Sequence, residues 1–136
     1  VEKRGAENLI HVGARAYVKE ELEFLREHNI KTITNQQIRD GDGPRLLNQL
    51  TEDFDSIYTS IDLDVLDPAF APGVGNPESI GITSRELYDM IRSLQERNIV
   101  SADIVELNPS FDNGSTASLA AKMISTIIAM NHAKQS

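Results

Sequence analysis

Ser60-Ile61-Asp62-Leu63-Asp64-Val65-Leu66-Asp67-Pro68 is the stretch whose reading decides the fold of this 136-residue chain. Residues Ile57 to Ile61 read as a buried β-strand. The strand runs into three aspartates, Asp62 and Asp64 two apart and Asp67 three further on. In an extended chain, residues i and i+2 share a face. Asp62 and Asp64 are therefore expected to project together from the carboxyl end of the strand. Two carboxylates that close repel unless a cation holds them. Oxygen donors suit divalent ions such as Mg and Mn. Pro68, Gly73 and Gly75 open the strand end into a loop. This spacing fits a metal site. It also fits a solvated acidic turn in which Asp62, Asp64 and Asp67 cap backbone groups.

The flanking sequence supplies the frame around that strand. Leu9 to Gly13 reads as a short buried strand. A helix is expected from Glu20 to His28, with Val18, Leu22 and Leu25 on one stripe. Asn29 suits a left-handed residue that ends it. Lys31 to Thr34 is a β-branched strand. Pro44 is placed as the first residue of a helix through Leu46, Leu47 and Leu50. Residues 67–82 form a long Pro/Gly loop, a length that is usually functional or disordered. Thr83-x-x-Glu86 is a capping box before Leu87, Met90, Ile91 and Leu94, with Arg97-Asn98 at that segment's end. Val100 to Leu107 is the last strand. Thr116 to Met130 is an apolar, Ala-rich helix with Leu119, Met123, Ile127 and Met130 as core candidates. Alternating strands and helices define an α/β fold, a parallel sheet with right-handed crossovers. Ligands bind beyond the carboxyl ends of such strands, and Asp62, Asp64 and Glu106 all fall there. A carboxylate at Glu106 is also suited to accept paired N–H bonds from a ligand. An ordinary strand-end glutamate facing water is the plainer alternative.

Composition bounds the function. Lys and Arg total 13 against 21 Asp and Glu, a net charge of −8. Nucleic acid is not expected as a partner, since phosphate binding needs a basic footprint. No cysteine is present, so disulfides and thiol chemistry are absent. No apolar run approaches the roughly 20 residues of a membrane span, and no membrane partner is expected. The three histidines are His11, His28 and His132. His11 reads as a packed strand residue, His28 as a helix end and His132 as part of the tail. Arg15, after the first strand, is expected to make a structural ion pair near the site mouth.

The wider string Ser60 to Gly75, followed by Pro77-Glu78, Gly81-Ile82-Thr83 and Arg85-Glu86, resembles the signature of the ureohydrolase (arginase/agmatinase) family. A second block agrees: Asp103-Ile-Val-Glu-Leu-Asn-Pro109, then Asp112 and Thr116 to Ala121. The resemblance covers about residues 9–130. It implies a three-layer α/β/α fold with helices on both faces of the sheet. It makes residues 1–136 the C-terminal part of a single α/β domain, because the family's earlier Gly-Gly-Asp-His and Asp-Ala-His-x-Asp motifs do not occur here. In the family's sheet a strand from the N-terminal half lies between the Asp-bearing strand and the first strand of this chain.

The same resemblance implies roles. Asp62 matches a carboxylate bridging two Mn ions, and Asp64 a second carboxylate on one of them. Glu106 matches the residue that binds the guanidinium. Asp67 remains structural. The implied reaction is hydrolysis of a guanidino compound to an amine and urea. The guanidinium carbon is a poor electrophile, and two metals sharing one hydroxide supply the nucleophile. Arginases carry Gly-x-Arg-Asp-x-Asp where this chain has Gly13-Ala-Arg-Ala-Tyr-Val18. Ala16 and Val18 lack the carboxylates that read a substrate's α-amino end, which points to agmatine, guanidinobutyrate or a similar guanidino compound. Formiminoglutamate stays open. The family implies a cytoplasmic homo-oligomer, a trimer or hexamer, and the chain by itself is expected to be inactive. The competing reading is a catalytically inactive α/β module, derived from the family, that binds or scaffolds.

Overall fold

The computed structural model describes residues 5–13, 15 and 18–134. Strand β1 (Ile10–Val12) is followed by α1 (Lys19–Glu27), β2 (Lys31–Ile33), α2 (Asn35–Arg39) and α3 (Gly43–Leu50). Strand β3 (Ile57–Asp62), α4 (Ser84–Ser93), β4 (Ile99–Val105) and α5 (Ser115–Ala133) complete the order. The local chemistry explains most of the boundaries. Asn29 closes α1 with φ of 50°, a region Asn tolerates better than most residues. Thr83 Oγ1 accepts the Glu86 amide at 3.1 Å, and Glu86 Oε2 accepts the Thr83 amide at 2.6 Å. This is the expected capping box. The segment after α4 turns at Leu94, so Arg97 and Asn98 lie beyond the helix rather than at its end. Helix α5 runs past Met130 and includes His132, which is therefore not in a loose tail.

Helix α2 is an addition to the sequence reading. Thr34 leaves β2 to become its N-cap, accepting the Gln37 amide at 3.2 Å while Gln37 Oε1 accepts the Thr34 amide at 2.9 Å. The same reciprocal pairing of two orphan amides operates here as at Thr83.

Both strand pairs are parallel, as the alternation of elements predicts. Strand β1 pairs with β2, and β3 with β4, in a register that sets Ser60 beside Asp103 and Asp62 beside Val105. Alternation divides β3 by face. Ile61 joins Ile82, Leu87, Met90, Ile91, Leu94, Met123 and Ile127 in the main core. Tyr58, Ser60 and Asp62 point the other way and are exposed. On that open face Tyr58 and Ser60 both donate to the Asp103 carboxylate.

Among the described residues, β1 and β3 share no ladder. A cavity of about 1530 Å³ separates them, lined by Ile10, Val12, Ile57, Ile61, Met90 and Ile91 among others. Two strand edges therefore face an apolar gap. It lies where the resemblance places a strand of the N-terminal half. Unpaired edges of this kind favour association.

Residues 67–82 form an anchored loop. Leu66 and Ile82 form a parallel bridge across its base, and Val74 and Leu107 form an antiparallel one at its far side. Ala71 and Val74 are fully buried. Gly81 packs against the other limb of this base, where an added Cβ would overlap the Asp67 amide nitrogen and the Leu66 carbonyl carbon. Backbone cannot swing aside as a flexible side chain does. Gly81→Ala is thus expected to destabilise the chain by about 3 kcal/mol or more. Urea denaturation measures this; an unchanged midpoint would show that the base of the loop is slack.

Candidate metal centre

Asp62 ends β3, but Asp64 does not continue the strand. Residues Leu63–Val65 form a single 3₁₀ turn with Asp62 as its N-cap. The expectation of two aspartates on one face of an extended chain is corrected here. Leu63 and Leu66 are both fully buried. Positions three apart lie on opposite sides of a strand but on one side of a 3₁₀ turn. Burying both leucines therefore favours the turn. The turn still gathers the acidic groups, because Asp62 Oδ1 accepts the Asp64 amide at 3.1 Å.

The electrostatics of Asp64 report a crowded site. Burial pushes its carboxyl above the usual aspartate range, and the neighbouring Asp62 and Glu106 carboxylates push in the same direction. Arg15 pulls weakly against them. Like charges in a partly desolvated place raise one another's affinity for a cation, whether proton or metal.

Glu106 lies one residue past β4 with φ of 65°. A glutamate in this left-handed region is uncommon, and such strain persists where surrounding contacts hold it. The bridge from Leu107 to Val74 and the Asn108 amide donated to the Gly73 carbonyl at 2.8 Å grip the following residues. Gly75 lies under the carboxylate: a Cβ there would meet Glu106 Oε2 at 3.5 Å. Glu106 is exposed, so its oxygens are open to a donor.

Asp67 plays the structural part expected of it. Its Oδ1 accepts the Ala69 amide at 2.9 Å, and its Oδ2 accepts the amides of Ile80 at 2.9 Å and Gly81 at 3.3 Å. The Ala69 bond, with help from the other two, holds this carboxyl below the usual range against the opposing effect of desolvation. Asp112 caps α5 similarly, accepting the Thr116 and Ala117 amides at 3.0 and 2.9 Å.

Arg15 departs from the expected ion pair. Its guanidinium donates to the carbonyls of Val65 at 2.9 Å, Leu66 at 3.3 Å and Ser79 at 3.3 Å, and to that of Glu78. Together with Asp62, Asp64, Asn76 and Glu78 it lines the cavity between β1 and β3. His11 lines the same cavity. Burial lowers its pKa, partly offset by Glu21. His28 Nδ1 lies 3.0 Å from the Phe24 carbonyl at the end of α1. Ala16 lies outside the described residues, and Val18 is an exposed N-cap of α1.

The donor chemistry of Asp62 and Asp64 fits a hard divalent cation, since both are oxygen donors and the carboxylates around Asp64 outweigh the pull of Arg15. Among the described residues, no group of three or more His, Cys, Asp or Glu side chains converges as a ligand set. A divalent ion held by this pair would need further ligands.

A parallel α/β chain with carboxylates gathered at the ends of its strands belongs to a broad class of ligand-binding folds. Comparison narrows that class. The sequence model of the arginase family matches residues 1–130. An arginase of Bacillus caldovelox is 35% identical over 127 residues, spanning 89% of this chain and 42% of that protein. Its solved structure superposes with a TM-score of 0.85 at 34% identity, over 93% of this chain and 44% of that one. An agmatinase of Bacillus cereus is 37% identical over 121 residues, 86% of this chain and 40% of that protein. A guanidinopropionase of Pseudomonas aeruginosa is 46% identical over 74 residues, 54% of this chain and 23% of that protein. The chain belongs to the arginase family and has its fold. It spans less than half the length of these relatives. Among the described residues no helix is long and apolar enough to cross a membrane.

The strain at Glu106 gives a test of whether its position was kept for its side chain. Glycine adopts positive φ at no steric cost. Glu106→Gly is expected to raise stability by about 1 kcal/mol while removing the carboxylate. A thermal melt checks this, and a lowered melting temperature would mean that the carboxylate itself holds the strand end together.

Proposed function

We propose that this chain provides the metal-holding and guanidinium-binding part of a hydrolase that converts a guanidino compound to an amine and urea. The activity resides in a family-length protein, in which this chain is joined to the remaining part of an arginase-family fold. The observation that supports this most is the placement of Asp62, Asp64 and Glu106 at strand ends, where burial, and after it the Asp62 and Glu106 carboxylates, push the Asp64 carboxyl above its usual range.

Asp62 and Asp64 would hold Mn together with ligands from elsewhere in the intact protein, and metal bound there would lower the pKa of a water toward neutrality. Glu106 receives the substrate. Its exposed carboxylate pairs with guanidinium N–H groups, which fixes the orientation of the planar group. The loop 67–82 forms the other wall of the cleft through Asn76 and Glu78.

The substrate is a guanidino compound without an α-ammonium group, agmatine or a similar amine or acid. Ala16 and Val18 offer no carboxylate to such a group, and unmatched buried charge is costly. Guanidino compounds are named among the relatives alongside arginine. The intact protein acts in the cytoplasm as a homo-oligomer, a trimer or hexamer.

Two outcomes test the reading in the family-length protein. Asp62→Asn should lower bound Mn and urea release together, the latter by about a hundredfold or more. Agmatine should exceed arginine in kcat/KM in side-by-side urea assays. Unchanged Mn stoichiometry in the variant would remove the ligand assignment, and a preference for arginine would remove the substrate assignment.

The 136 residues by themselves should bind Mn weakly and release no urea. An open pair of carboxylates lacks the other ligands, and the unpaired edges of β1 and β3 favour self-association. Mn titration, urea assay and light scattering on residues 1–136 measure this. A monodisperse monomer that hydrolyses agmatine would show that the chain is self-sufficient.

A further inference from the structure

Between the two limbs of the loop that closes the cleft stands one guanidinium. Arg15 sits just past the carboxyl end of β1, in the part of the chain that the cavity separates from β3. Its donors reach the carbonyls of Val65 and Leu66, the two residues that follow Asp64. They also reach the carbonyls of Glu78 and Ser79, more than ten positions further along. A planar fork with five donors suits such a divided task; an ammonium is a compact charge with rotating donors.

The loop has two further ties at the same place. Asp67 accepts the Ile80 and Gly81 amides from the near limb. Asn35, nine-tenths buried at the start of α2, donates to the Ile80 carbonyl at 3.0 Å. Ile80 is held between them with φ of 64° while 69% exposed. A β-branched residue in this region is a genuine outlier. The neighbouring bonds, and not packing of its own side chain, must hold it there. Residues 78–80 are thus fixed by polar bonds from two other elements and from the opposite limb.

We propose that Arg15 is a positioning residue for the cleft: it sets the wall bearing Asn76 and Glu78 at a fixed distance from the Asp62–Asp64 turn. The proposal rests on the reading of that turn as the metal and substrate site. Arg15 acts through backbone carbonyls, so it shapes where the substrate lies without touching it. Loss of the fork leaves the two limbs joined only by Asp67 and the Leu66–Ile82 bridge, ties that then open more often, and the 76–79 rim moves away from the aspartate turn. Substrate binding then weakens more than the chemical step does.

Hydrogen exchange on this chain reads the first half of the proposal. In Arg15→Ala, amides of residues 78–82 should exchange at least about tenfold faster, with β3 and β4 amides unchanged. Arg15→Lys should show the same pattern to a smaller extent, and decides the matter where the alanine variant does not fold. Arg45→Ala, which removes a surface pair with Asp42 on α3, should leave the loop as it is. Kinetics of the family-length protein read the second half: KM for the guanidino substrate should rise about tenfold while kcat stays within about threefold. Unchanged exchange at 78–82, faster exchange across β3 and β4 alike, or a fall in kcat with constant KM would each overturn the positioning role. A parent protein that releases no urea would instead overturn the proposed reaction, and the exchange pattern would still decide whether Arg15 fixes the loop.

Discussion

Negative charge gathered where there is little to offset it is the constraint on which the rest of this structure turns. Asp62 and Asp64 stand two residues apart at the end of β3, with Glu106 near them. Repulsion alone would spread them apart. They are kept together by features that have nothing to do with charge. Leu63 and Leu66 are fully buried and hold the 3₁₀ turn between and after the aspartates. The loop beyond the turn is tied back by Asp67, Arg15 and Asn35. Glu106 is held in a left-handed conformation by the strand-end contacts around Leu107 and Asn108. The apolar core and the backbone bonds thus hold the Asp64 carboxyl where burial and its acidic neighbours disfavour its charged form.

Much of this was legible in the sequence, for identifiable reasons. Strand β3 announces itself by its apolar and β-branched residues, and Thr83-Ser-Arg-Glu86 by the spacing of its capping box. Asn29 was readable as a helix stop because few residues take positive φ. The same logic, applied to Thr34-Asn-Gln-Gln37, gives α2, which went unread because Ile38 is its single large apolar residue and no helical stripe marks it. The turn at Asp64 was hidden by the regular i, i+2 spacing of the aspartates, which imitates a strand. The deciding signal lay in Leu63 and Leu66 instead. Arg15 was beyond reach, since every residue has a carbonyl and nothing in sequence tells which ones a guanidinium will find. The strain at Ile80 and Glu106 was equally silent, because neither residue type ordinarily adopts that conformation.

On the proposed function, the open features of the chain have a common cause. The cavity between β1 and β3 separates two parallel strand pairs whose facing edges bear no partner among the described residues. The exposed face with Tyr58, Ser60 and Asp62 lies beside it. On that reading, a chain matching 40–44% of a relative would contribute part of a sheet and part of a ligand set. On the proposed function the two deficits are filled together, because strands that complete a parallel sheet also bring their carboxyl ends, and any ligands there, to the same edge.

The most direct measurement is the location of manganese in crystals of the family-length protein, by anomalous diffraction at saturating Mn. The expected result is anomalous density bonded to carboxylate oxygens of both Asp62 and Asp64, with Glu106 facing it across the cleft and free of the metal. Density elsewhere in the protein, or none at these two aspartates, would contradict the claim that their crowding exists to hold a cation.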